Sequence, residues 1–442
     1  MKIGLMILSV IIFLAISPTA LVSSWIITSP FVNNFIARPD ENPFFGSYRL
    51  IDLTGHVVPG FDIRELFTFD RAVLLTLFII TLFRATHKIT LDRLDIVFLT
   101  FLGSAGLSTL FSKNFVHAVK VAFDSFGLSY IAYFLGKNML YWEDKFKKYI
   151  RAVLTLGVTL VVVTLCESYI NRDTDMYRIT GPFLYWENLG LTLAIILFIA
   201  LFRVNTIKLS SNRVSKGFQV LILLLAICIF LSYTRTIMFV VLLGLLYCAR
   251  KGNNVINKRT ISKYNLFVVS IIIITALSPL LLSSTGFYQH RLTKRTDEGR
   301  IENYYVAMRM FMQHPLLGIG FKNYDTEQVN YATEEEIKKG AVTSRGSCHN
   351  SYLVIAAEMG LMGFIPMILL VVFSYTFCRQ YYSFVKTKEE KLWALTMGTL
   401  TIIYFLSATT FDPFHEPTID NKLFYMCLGL SVGRYNILKN NS

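Results

Sequence analysis

The chain is dominated by apolar runs of 15 to 27 residues that recur along most of its length. Hydrocarbon cannot satisfy backbone N–H and C=O groups, so runs of this length and number have to be helices; the strict alternation of a membrane β-barrel is absent. With 54% hydrophobic and 16% charged residues and a mean hydropathy of +0.51, the 442-residue chain is too apolar for a soluble protein of its size. The expected fold class is therefore an all-α polytopic membrane protein. About twelve transmembrane helices are predicted, near residues 3–27, 70–86, 94–111, 116–137, 149–170, 183–203, 217–233, 235–250, 265–284, 351–378, 392–410 and 418–437. The first run is too long for a signal peptide and has no convincing small-residue cleavage site, so it is read as an anchor.

The net charge of +14 points to topology rather than to nucleic acid, because the basic residues gather in alternate short loops. Arg84, Lys88 and Arg93 form one such group; Lys145, Lys147, Lys148 and Arg151 another; Arg379, Lys386, Lys388 and Lys391 a third. These loops are expected to be cytoplasmic, together with both termini. The reading requires a break within Gln219–Arg250, whose 32 residues would run to about 48 Å as one helix, against a hydrocarbon core of about 30 Å. Ser232-Tyr233-Thr234-Arg235 is the expected turn.

Three blocks follow: a membrane domain of nine spans over 1–284, a long external loop over 285–350, and three further spans over 351–442. Thr28 to Phe69 reads as an irregular cap, and Asp124 is expected to pair with Lys120 one turn away. The long loop holds an amphipathic stretch from Ile301 to Met312, a His314-Pro315 stop, a Gly318-Ile319-Gly320 turn and a helical run from Thr326 to Lys339. Helix-forming sequence in a loop of this length points to a lid or a groove.

The external face collects Arg178, Arg235, Arg291, Arg295, Arg300, His349, Asp412 and His415. Arginine suits a diphosphate because its planar fork donates in pairs and keeps its charge when partly desolvated. Arg235, at a hairpin turn, could equally snorkel to headgroups, and Arg300 could simply pair with Asp297 or Glu298. His349 stands where the polar loop meets an apolar helix, a place where an imidazole can exchange protons from a fixed position; the ordinary alternative is a histidine lying at the interface. Asn350 or Ser351 is the expected cap of that helix. Glu358, seven residues beyond Ser351, returns to the same face about 10 Å deeper, where it would pair with a cation or stay protonated. No Walker sequence, dinucleotide fingerprint, HExxH or metal-ligand spacing is present, and the six scattered cysteines define neither a disulfide framework nor a metal site.

His349-Asn350-Ser351-Tyr352 with Glu358-Met359-Gly360-Leu361-Met362-Gly363 resembles the signature HNxxLxxxxExGxxG of the O-antigen ligase and polymerase superfamily. Gly299-Arg300 with His314-Pro315-Leu316-Leu317-Gly318-Ile319-Gly320 resembles its GR…HPxxGxG run, and Thr180-Gly181-Pro182-Phe183 with Asn188 its GPFxxxN segment. In that segment four residues separate Phe183 from Asn188, one more than in the family pattern, and Thr234-Arg235 resembles its SR turn, with Thr in place of the commoner Ser.

The resemblance implies a metal-independent, inverting glycosyltransferase of the bacterial inner membrane, without a cofactor. It would move a glycan from undecaprenyl diphosphate to an acceptor hydroxyl on the periplasmic side, the acceptor being a glycan or lipid A core. Carried over by position, Arg235 and Arg300 would hold the diphosphate, His349 would serve as base, and Arg178, Glu358 and Asn350 would support them. A ligase is favoured because one external loop dominates; the alternatives are an O-antigen or exopolysaccharide polymerase, and a transporter or flippase of lipid-linked sugar. A transporter should show interrupted helices in related repeats, and no internal repeat is evident.

Overall fold

A computed structural model describes residues 17–37, 69–84, 91–139, 143–170, 179–183, 185–206, 212–232, 234–252, 296–338, 348–414 and 418–440. The expected span at 265–284, most of the first apolar run, and Arg178, Arg291, Arg295 and His415 lie outside the described residues.

Every regular element among the described residues is helical. In chain order they are α1 (Pro18–Ala37), α2 (Phe69–Arg84), α3 (Arg93–Thr109), α4 (Phe115–Met139), α5 (Glu143–Ile170), α6 (Trp186–Thr206) and α7 (Asn212–Leu231). Next come α8 (Arg235–Lys251), α9 (Thr296–Gln313), α10 (Tyr324–Tyr331), α11 (Glu334–Lys338), α12 (Ser351–Phe384), α13 (Lys388–Ser407) and α14 (Ile419–Asn440). Four of these, namely α4, α5, α6 and α12, are long and apolar enough to cross a bilayer, which makes the chain a membrane protein.

The turn expected at Ser232–Arg235 is present, so α7 and α8 are separate helices. Two expectations about helix bounds change. α1 runs on to Ala37, so Thr28 to Ala37 is helix rather than irregular cap. Its continuation has a physical reason: Trp25 Nε1 and Ser29 Oγ both donate to Asp70 Oδ1 of α2, at 2.7 and 2.6 Å, and pin the helix there. The run expected over 326–339 is divided between α10 and α11, where Thr333 interrupts it and caps the next turn; Thr333 N–H donates to Glu336 Oε2 at 2.6 Å.

Buried ion pairs tie the bundle together. Asp124, in a π-helical turn within α4, accepts from Arg71 of α2 (Nη2 to Oδ2, 2.6 Å), so its described partner sits across a helix interface rather than on Lys120. Lys137 of α4 pairs with Asp92, 2.8 Å away, and with Asp95, and Lys422 of α14 pairs with Asp70. At the far end Glu390 of α13 receives Arg434 of α14 and the Tyr381 hydroxyl of α12. The α4–α14 contact is close enough for backbones to touch: a Cβ on Gly136 or Gly429 would run into the carbonyl of Met426 or Tyr133.

One irregularity shapes the region that holds the candidate site. α12 is a 34-residue helix bent at Gly360, where φ is 60° and ψ is −159°. That backbone region is almost exclusive to glycine. A segment from the end of α9 docks into the bend: Ile319 N–H donates to Ala357 C=O (2.9 Å), Gly320 N–H to Glu358 C=O (3.0 Å), Leu361 N–H to Pro315 C=O (2.8 Å) and Met362 N–H to Leu316 C=O (3.2 Å). The described part of the long loop, 296–338, is thus anchored to the bundle.

Candidate functional site

The site is built where several helices begin. Ser351 opens α12, and its N–H donates to Ala408 C=O (2.9 Å) while its Oγ donates to Phe411 C=O (3.3 Å); this docks the start of α12 on the α13–α14 connection, which carries Asp412. The start of α6 packs on the α7–α8 turn, with Gly190 against Ile237 and Ser232. Glu187 and Arg235 therefore lie at one end of the bundle. Upstream of α6, the Thr180 and Gly181 N–H groups both donate to the buried carboxylate of Glu167 (3.1 and 2.6 Å), which fixes the turn leading into Glu187 and Asn188.

His349 is held from both sides. Cys348 is fully buried in a cluster with Val306, Ala307, Met310, Tyr324, Val354 and Ala357, and its thiol donates weakly to Asn303 C=O at 3.8 Å. Asn350 caps α12, its Oδ1 accepting from the N–H groups of Tyr352 (3.1 Å) and Leu353 (3.2 Å). Between these anchors His349 adopts φ of 52°, the left-handed region that a non-glycine residue seldom occupies. Strain of this kind persists only where the surroundings over-determine it.

The electrostatics around this half-buried imidazole are specific. Burial lowers its pKa below the usual histidine value, the positive charge of Arg300 lowers it further, and the negative charge of Asp412 pulls it back up. The ring is accordingly neutral at neutral pH and able to accept a proton. Arg300, exposed near the start of α9, also acts on Tyr304 and on Glu187, as does Asp412. Arg300 and Asp412 therefore act on both His349 and Glu187. Burial and Asp412 push the Cys348 thiol well up, which keeps it protonated and makes it an anchor rather than a nucleophile.

Of the residues expected from sequence, Arg300, His349 and Asn350 meet here. Arg235 is the exposed first residue of α8, at the same end as Glu187. Glu358 lies farther along α12, where its Oε1 accepts the N–H of Tyr324 at 3.0 Å. Glu187 was not singled out in the sequence, and the signal that could have found it is its place between Phe183 and Asn188. Among the described residues no group of three or more His, Cys, Asp or Glu side chains is arranged to hold a metal ion.

Residues 220–368, about a third of the chain, match the family model described as O-antigen ligase, so over this stretch the chain is similar to the O-antigen ligase superfamily. The match contains Arg235, Arg300, His349 and Glu358; Glu187 and Asp412 fall outside it. No curated protein matches the chain.

Proposed function

We propose that the protein is a member of the O-antigen ligase superfamily that transfers a glycan from undecaprenyl diphosphate to an acceptor hydroxyl, and that it does so as a ligase. The observation that carries the proposal is the meeting of a strained, neutral imidazole with Arg300 and Asp412 at one end of a helical membrane bundle. In this reading the chain crosses the inner membrane about twelve times with both termini cytoplasmic, and the His349 end faces the periplasm. Residues 1–284 and 351–442 form the membrane domain, and 285–350 the external loop.

The chemistry is a single displacement, and it needs no metal. His349 takes the proton from the acceptor hydroxyl, and the alcohol oxygen attacks the anomeric carbon. The bond from that carbon to the diphosphate oxygen breaks, with inversion, and the charge released on the diphosphate is received by Arg300 and Arg235. Asp412 stabilises the imidazolium formed in this step. Arg178 would add a further cation beside the diphosphate. The acceptor is lipid A core or another glycan, and no nucleotide is required because the lipid diphosphate is already an activated leaving group.

The test compares glycan profiles of a deletion strain complemented with the wild type or with His349→Ala. The variant is expected to insert normally and to leave lipid-linked glycan untransferred, a rate loss of roughly 10²- to 10⁴-fold for a positioned base. Normal transfer by His349→Ala removes the imidazole from the mechanism. Single repeat units still joined to the acceptor would identify a polymerase instead, and normal polymer with donor stranded on the cytoplasmic leaflet a flippase.

A further inference from the structure

The bend in α12 does more than interrupt a helix. In an unbroken helix the N–H groups of Leu361 and Met362 would donate to the carbonyls of Ala357 and Glu358. Here those four groups are turned outward, and all four pair with residues 315–320 of the segment that follows α9. Two helical hydrogen bonds are thereby exchanged for four that join two elements. A Cβ on Gly318 would meet the Glu358 carbonyl carbon, and one on Gly360 the carbonyl of Leu316, so the two backbones are in direct contact.

Glu358 lies at the centre of this clasp. Its carbonyl accepts from Gly320 N–H (3.0 Å) and from Ser108 Oγ (2.8 Å), which brings in the end of α3. Its carboxylate accepts the N–H of Tyr324 (3.0 Å), the first residue of α10, where the positive end of a helix favours an anion. Tyr324 passes the connection on: its ring is buried beside Val306, Ala307 and Met310, and its hydroxyl donates to Asn303 C=O (3.3 Å), about one turn from Arg300.

The consequence is geometric. α9 and the first part of α12 lie side by side around one apolar cluster, joined by the clasp at one end. Arg300 stands 13 residues before the end of α9, about 20 Å from the clasp, and His349 lies nine residues before Glu358, about 14 Å away. Two rods joined at one end bring together whatever their other ends carry. We propose that Glu358 is a positioning residue: by locking α9 and α10 to the bend in α12 it sets where Arg300 stands relative to His349. The proposal rests on the reading of those two residues as the transfer site.

The test uses the full chain in lipid nanodiscs and two readouts. Spin labels at Tyr305→Cys on α9 and Ile365→Cys on α12 just beyond the bend, both exposed, report by double electron–electron resonance across the clasp how firmly α9 is held to α12, with the exposed Cys166 replaced by serine. Transfer is assayed with lipid-linked glycan extracted from the strain carrying His349→Ala. Glu358→Ala is expected to broaden the distance distribution and slow transfer roughly ten- to a hundredfold. It should also move the acid limb of the pH profile upward, because Arg300 then depresses the His349 pKa less. A loss of folded protein would scale the rate at every pH without moving that limb. Glu358→Gln, whose amide oxygen can still accept the Tyr324 N–H, should recover a narrow distribution and most of the transfer. An unchanged distance distribution in Glu358→Ala overturns the proposal, as does a broadened one with unchanged transfer and an unmoved limb. Failure of the catalytic reading is recognised separately, by transfer that survives His349→Ala.

Discussion

At the scale of single residues the informative quantity is the φ of 52° at His349, set between a buried cysteine and a helix cap. Neighbours that force the backbone leave the imidazole little freedom, and its charge state is then set first by burial and next by Arg300 and Asp412. Because Asp412 raises the His349 pKa, Asp412→Asn lets it fall further. The acid limb of the transfer rate should therefore move to lower pH, and the plateau should drop because the imidazole has become a weaker base. A pH–rate profile of the variant checks both shifts; a limb displaced to higher pH would contradict the assignment. Residue chemistry and local pattern mark His349 and Arg300 as candidates, each with an ordinary alternative, and only the family resemblance gives them roles. Glu187 was not legible, because a carboxylate in the first turn of an apolar helix is also what ordinary helix-start preference produces. Asp412 could be placed on the external face, but its action on His349 depends on a fold that brings a residue 63 positions away onto the start of α12.

At the scale of elements, most helices were legible because hydrophobic runs bounded by charges leave few alternatives. The bend was not. Gly360 sits in an apolar helical pattern that tolerates an occasional glycine, and Gly318-Ile319-Gly320 reads as a turn with nothing to indicate what it docks against. Their partnership is a contact between segments some 40 residues apart, and the hydrogen bonds are all backbone, so side-chain pattern carries little of it. Gly360→Ala tests the element directly. It places a Cβ against the Leu316 carbonyl in a backbone region with a strain of about 1–3 kcal/mol for residues other than glycine. The variant should melt several degrees below the wild type in detergent. Hydrogen exchange at the amides of Ile319 and Gly320 should rise while α13 and α14 keep their protection. Uniform loss of protection would instead mark Gly360 as part of the global fold.

At the scale of the whole molecule the charges inside the bundle need an account, because the positive-inside pattern explains only those in loops. Asp70 is 2% exposed and receives Trp25 and Ser29 from α1 and Lys422 from α14, so one carboxylate joins three helices far apart in sequence. Lys422 is 1% exposed and cannot reach water without moving α14. Asp70→Asn retains an acceptor for Trp25 and Ser29 but leaves the ammonium beside a neutral amide. Removing one member of a buried pair typically costs about 3–5 kcal/mol. The charge of Asp420 also acts on Lys422, but side chains two apart on a helix point in different directions, so it offsets only part of that cost. Replacing both members, Asp70→Asn with Lys422→Met, removes the stranded charge and should recover much of the stability. The expected order of melting temperatures is wild type, then the double variant, then Asp70→Asn. A single variant that melts with the wild type would mean that α1, α2 and α14 are held together by apolar packing, with the ion pair merely accommodated between them.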